Sequence, residues 1–125
     1  IYLLAQTLIV INFTETVCAR LISDYESFGC YKDTHVRAID TLEGKDPILD
    51  GSYGQRKDPI AKCAVAAMRA GYSMFAVQNG GWCASSRLAE ETFNKYGRSS
   101  ACRSDGEGGP WANQVYELKG KLLNL

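Results

Sequence analysis

Charge of one sign, histidine and long apolar runs are what this chain has least of. Its 14 Lys and Arg are matched by 14 Asp and Glu, for a formal net charge of zero. With the basic residues spread along the chain, there is no electrostatic footprint for nucleic acid and no polybasic patch for a membrane surface. No segment supplies the roughly 20 apolar residues of a spanning helix. His35 is the only histidine, and the cysteines are not spaced as paired C-x₂₋₄-C ligands, so no metal site is expected. Gly106-Glu107-Gly108-Gly109 runs into Pro110 with no Lys-Ser/Thr after it, which excludes a phosphate loop. Asp105 and Glu107 alone make a poor Ca²⁺ site and read as a solvated turn. With no nucleophile–base pair, metal cluster or cofactor loop, the expectation is a protein that is not an enzyme and has no cofactor.

At 125 residues the chain holds at most one domain. Its N-terminus differs in kind from the rest. Residues 1–11 are a short apolar run, and Val17-Cys18-Ala19 resembles the small-residue pattern before a signal-peptidase cut. Lacking an initiator Met and a basic leader, residues 1–19 read as a truncated signal peptide, with a first β-strand as the competing reading. The mature domain is then 20–118, followed by a tail at 119–125. Removal of Cys18 leaves Cys30, Cys63, Cys83 and Cys102, an even set that argues for disulfides, no free thiol and secretion. No membrane insertion is expected once the signal is gone.

The most informative stretch is Asp58 to Cys83. Asp58 suits an N-cap, Pro59 the first helical position, and Gly71 a helix stop. Ile60, Cys63, Ala64 and Ala67 recur at helical spacing, with Ala66 on the outer side. Tyr72 to Gln78 alternates as a strand, Asn79-Gly80-Gly81 is a turn, and Trp82-Cys83 follows. Four cysteines allow three pairings, and spacing does not choose among them. The expected pairs are Cys63–Cys83, which would clamp helix to strand, and Cys30–Cys102, which would tie the two ends of the domain.

Elsewhere the signals are thinner. Gly29-Cys30-Tyr31 is a short strand, and Arg37-Ala38-Ile39 is extended. From Thr41 to Lys57 there is turn chemistry without periodicity, so a surface loop is expected. A second helix is predicted over 87–96, capped by Ser85 or Ser86 and stopped by Gly97. A glycine-rich loop then precedes a last strand from Trp111 to Leu118.

Taken together, Gly29-Cys30-Tyr31, the cysteine-bearing helix, and Gly71-Tyr72-x-x-Phe75-Ala76-Val77-Gln78-Asn79-Gly80-Gly81-x-Cys83 resemble the pattern of WSC domains, extracellular modules related in shape to the PAN/apple group. The resemblance spans roughly Phe28 to Tyr116 and is densest around the helix–strand unit. Where those domains usually carry further cysteines, this chain has Ala67 and Ser85 or its neighbours, as a divergent relative with two disulfides would. The resemblance implies an α+β fold: a small disulfide-stapled antiparallel sheet cradling one main helix, with a second short helix. It also implies binding of a glycan or an extracellular protein.

Trp82 and Trp111 each adjoin a glycine-rich turn, with Asn79, Gln78, Asn113 and Gln114 supplying amides beside them. Aromatic faces and amides are what a sugar needs, so Trp111, Asn113, Gln114, Asn79 and Trp82 are the candidate ligand-binding set, lectin-like in character. Trp111 lies in a loop, whereas Trp82, beside a cysteine, is expected in the core. The competing partner is a protein, docked by an apolar patch with the loop charges of 46–57 around it.

Overall fold

The computed structural model describes residues 24–119. The expected signal segment 1–19 and the tail beyond Lys119 lie outside the described residues. The elements run β1 (Tyr25–Lys32), α1 (Pro59–Arg69), β2 (Met74–Gln78), β3 (Trp82–Ser85), α2 (Ala89–Thr92) and β4 (Ala112–Leu118). Two 3₁₀ turns, Pro47–Leu49 and Tyr53–Gln55, punctuate the connection from β1 to α1. The strands form one sheet in the order β1-β4-β2-β3, antiparallel throughout. This is the small α+β sheet with one main helix that the sequence implied.

Side chains alternate across a pleated sheet, and here both faces are covered. On one face Cys63, Ala64 and Ala67 of α1 meet Phe75, Val77, Cys83 and Tyr116. On the other, Ile39 and Ala89 cover Met74, Ala76, Ala84 and Val115. That double burial explains why β2 is apolar at four successive positions and buried along its length. Free strand edges invite pairing with other chains, and both outer edges are partly occupied. Leu42 N donates to Cys83 O along β3, and Lys32 N to Gly97 O along β1, each at 3.0 Å.

The ends of α1 obey its sequence signals in part. Pro59 is the first helical residue, and the C-terminus closes with Tyr72 N donating to Ala67 O and Gly71 N to Met68 O, both 2.9 Å, the Schellman pattern. Asp58 stands at the N-cap, but at φ 50° and without a side-chain hydrogen bond. A residue before proline is pushed out of the right-handed helical region, and Asp tolerates the left-handed one. Both expected disulfides are present. Cys63–Cys83 joins α1 to β3 with a Cα–Cα distance of 5.4 Å, and Cys30–Cys102 joins β1 to the glycine-rich segment at 6.0 Å. Among the described residues no helix is long and apolar enough to cross a membrane.

Three expectations need correction. The segment 41–57 is no free surface loop: Leu49 is buried, and the Arg56 side chain is only 2% exposed, its guanidinium bonded to both Glu43 carboxylate oxygens and to Gly81 O. Three of its charges are used within the fold: Glu43 and Arg56 pair with each other, and Asp46 accepts from Ile48 N and Arg69, while Lys45, Asp50 and Lys57 stay exposed. The second helix is shorter than 87–96; regular α2 covers four residues, and Ser85 lies buried in β3 with its hydroxyl donating to Met74 O instead of capping. Finally, Ala66 is not on an outer face. Residues 63–68 are all buried, because Ile48 and Leu49 pack over the side of α1 away from the sheet.

Two outcomes are expected. Leu at Ala66 should overpack the seam with Ile48 and Leu49 and cost about 1–3 kcal/mol, as should Leu at Ala64; thermal melts in which Ala66→Leu is silent would contradict this packing. The second concerns Tyr116, whose hydroxyl donates to Gly106 O at 2.6 Å. Burial first, then Tyr25, Asp105 and Glu107, push its pKa from 10.0 up to about 12. A phenol kept neutral by the fold contributes stability that is complete below pH 10.0 and drains away as pH rises toward about 12, because the unfolded chain ionises first. Denaturation midpoints measured across that window should fall less steeply for Tyr116→Phe than for the wild type.

Candidate functional site

The site is built on one cross-strand row. Register pairs Tyr31 with Asn113, Asn113 with Gln78, and Gln78 with Trp82, so the four share one face of the sheet. That face is the one turned away from α1, since Tyr31 and Trp82 belong with the Ile39 and Ala89 cluster. The row ends at the β2–β3 turn, Asn79-Gly80-Gly81.

Two close approaches bring the second tryptophan to this turn. A Cβ on Gly108 would sit 2.3 Å from Val77 O, and one on Gly81 would sit 2.2 Å from Tyr53 O. Only glycine lets the 105–109 segment and the Tyr53–Gln55 turn lie this near the hairpin. Gly80 N then donates to Glu107 O at 3.0 Å, fastening the two glycine-rich turns together. Behind the hairpin, Glu43 accepts from Cys83 N as well as from Arg56, which holds the turn from the other side.

The segment after β1 supplies the centre. Asp33 is buried, its backbone N–H donates to Trp111 O, and its carboxylate accepts from Arg37 Nη1 (2.8 Å), Ala38 N (2.9 Å) and Gln78 Nε2 (2.8 Å). Thus anchored, the Arg37 guanidinium lies between the two indoles, 4.2 Å from the Trp82 ring centroid and 4.9 Å from that of Trp111. Cation–π contact of this kind favours the flat guanidinium. A carboxylate can only accept, so Gln78 must turn its NH₂ toward Asp33. Its second hydrogen goes to Asn113 Oδ1 at 2.9 Å. Asn113 Nδ2 is left buried and without a partner among the described residues.

In front of this network lies a cavity of about 170 Å³, lined by Arg37, Gln78, Trp82 and Trp111 together with Tyr53, Asn79 and Pro110. Compared with known proteins, the chain matches no protein-family model and no curated protein. What the cavity can do must be read from its own chemistry: an open indole, a guanidinium, amides and a phenol, with no nucleophile or general base among the lining residues.

Of the five residues singled out from sequence, Trp111, Trp82 and Asn79 come together here. Asn113 is fully buried, engaged with Gln78 behind the cavity wall. Gln114 does not belong to the site: strand alternation turns it to the opposite face, where its Nε2 donates to Ser27 Oγ at 2.8 Å. Trp82 is half-buried, packed against the core on one side and facing Arg37 on the other. Gln78 was legible as an amide beside the tryptophans, but its union with Asp33 and Arg37 was not, because Asp33 and Gln78 are 45 residues apart. The one available local signal was the carboxylate and guanidinium four positions apart.

Removing the Asp33 carboxylate should loosen the whole site. Asp33→Ala strands the Gln78 amide and Ala38 N–H and frees Arg37, whose side chain is 32% exposed and so partly rescued by water. We expect a loss of about 2–3 kcal/mol in urea denaturation. A change within about 0.5 kcal/mol would mean that the network carries little of the stability.

Proposed function

We propose that the protein is a secreted, non-enzymatic binding module that holds a carbohydrate against Trp111. One observation carries this reading. Trp111 is 52% exposed and has φ 51°, a left-handed conformation in which a bulky side chain is a genuine outlier. Glycine would adopt it without strain, and strain of about 1–3 kcal/mol at such a position points to a role other than folding. An exposed indole held rigidly beside an amide, a guanidinium and a phenol suits a sugar, whose C–H face stacks and whose hydroxyls need both donors and acceptors.

Other features agree. Two disulfides belong to an oxidising compartment, which fits secretion. The resemblance to WSC and PAN/apple modules, carried by the residues from Gly71 to Cys83, supports an extracellular binding role. A protein partner docked on the 46–57 charges has less support, because Arg56 and Asp46 are engaged internally.

Glycan binding measured beside a melting curve for each variant tests the reading. Trp111→Ala should abolish most binding and lower the melting temperature only slightly, since the indole is half exposed, gives up its contact with Arg37, and leaves the positive φ as it was. Asn79→Ala should weaken binding less. Trp82→Ala should cost about 2–4 kcal/mol of stability through lost packing. If Trp111→Ala binds as tightly as the wild type, the site is elsewhere.

A further inference from the structure

We infer that the cavity reads two adjacent hydroxyls of an uncharged sugar, one donating to Gln78 Oε1 and the other accepting from Arg37. This inference rests on the carbohydrate reading above and adds the ligand's charge and the polar contacts that select it. Gln78 is 6% exposed and lines the cavity. Both hydrogens of its amide are directed inward, to Asp33 and Asn113. Among the described residues nothing donates to its Oε1, and this oxygen, unlike Asn113 Nδ2, is not sealed from the cavity. A buried amide has thus been oriented so that a fixed acceptor faces the ligand space.

Beside it, Arg37 spends Nη1 on Asp33, and nothing among the described residues accepts from its other nitrogens. Acceptor and donor side by side match a vicinal diol, because each hydroxyl can both give and take a hydrogen bond. An anionic group fits less well. Its oxygens have no proton for Gln78 Oε1, and the Arg37 charge is already balanced by Asp33 at 2.8 Å. Arg37 is also the only charged residue in the cavity lining. Asp33 is therefore a positioning residue twice over: it fixes the Gln78 amide, and it neutralises Arg37.

The test uses a printed array of neutral, uronate-containing, sialylated and sulfated oligosaccharides. The strongest neutral hit is then titrated as its methyl glycoside and as the full set of its monodeoxy analogues. We expect neutral hits, lost in Trp111→Ala. Two deoxy analogues, altered at neighbouring carbons, should each bind about ten-fold more weakly or worse, with the others close to the parent. Because the deoxy series leaves the protein unaltered, no failure to fold can mimic the result. Asp33→Asn, checked by its melting curve, should weaken neutral binding about ten-fold and raise binding to uronates, as Arg37 loses its counter-charge and the Gln78 amide is free to turn. Binding confined to acidic glycans would overturn this inference and leave the carbohydrate reading standing. So would a neutral ligand with no sensitive pair of neighbouring hydroxyls. Binding to no glycan at all would overturn both and put a protein partner in the lead.

Discussion

The seam between α1 and the sheet is the constraint on which the rest depends. Cys63 and Cys83 are both fully buried, and their bridge pins the middle of the helix to the second residue of β3. The side chains around it are small: Ala64 and Ala67 from the helix, with Phe75 and Tyr116 stacked 5.0 Å apart to fill what remains. A helix of this composition has little apolar area per residue to bury, so it gains cohesion by lying close and by a covalent tie. Constraining a short loop in the unfolded chain stabilises by roughly 2–4 kcal/mol, a large share of what a domain this size has. Burial from the other side, by Ile48 and Leu49, completes the layer and fixes the segment that leads to Tyr53 and Arg56.

From that seam the site follows by register. Cys83 fixed against the helix sets Trp82 on the opposite face, since neighbouring strand residues alternate. Gln78 pairs with Trp82 and Asn113 pairs with Gln78, so one row is determined as soon as one hairpin is. The polar members of that row would be costly on a buried face without partners. Asp33 supplies them, reaching in from the chain just beyond β1 and drawing Arg37 between the tryptophans. The disulfide layer and the polar layer are thus two faces of the same four strands.

Much of the first layer was legible in the sequence, and little of the second. Proline at the helix start, glycine at its end and an Asn-Gly-Gly turn are local signals, and the helix, hairpin and bridge they imply are all present. The two tryptophans could be tied to glycine-rich turns for the same reason. The error at Gln114 came from treating neighbours on a strand as if they shared a face. The errors at Ala66 and at 41–57 had a common source: an irregular segment gives no periodicity from which its burial can be read, yet Arg56 and Leu49 make it part of the core. The place of Arg37 could not be read beyond its spacing from Asp33, because the two tryptophans it meets come from a hairpin and a glycine-rich loop that only the fold assembles.

The places where local rules are broken have a pattern. Among the described residues three non-glycine residues have positive φ, and two of them, Asn79 and Trp111, line the cavity. Asn tolerates that conformation; Trp does so at a cost. Directly behind them Asn113 Nδ2 is buried without a partner among the described residues, a further unfavourable term at the same end of the sheet. A glycine at Trp111 would remove a penalty without disturbing the disulfides or the seam, whereas an apolar residue at Asn113 would remove one and take from Gln78 the acceptor of its second hydrogen. Natural sequences accumulate such penalties where something other than stability is under constraint. Three of them bear on side chains at the cavity: Trp111 presents an indole, Asn79 an amide, and Asn113 holds Gln78 by its second hydrogen. Asp58 and the unpartnered Arg56 Nε lie outside the cavity lining, but the other three penalties border it, where the proposed ligand would be met.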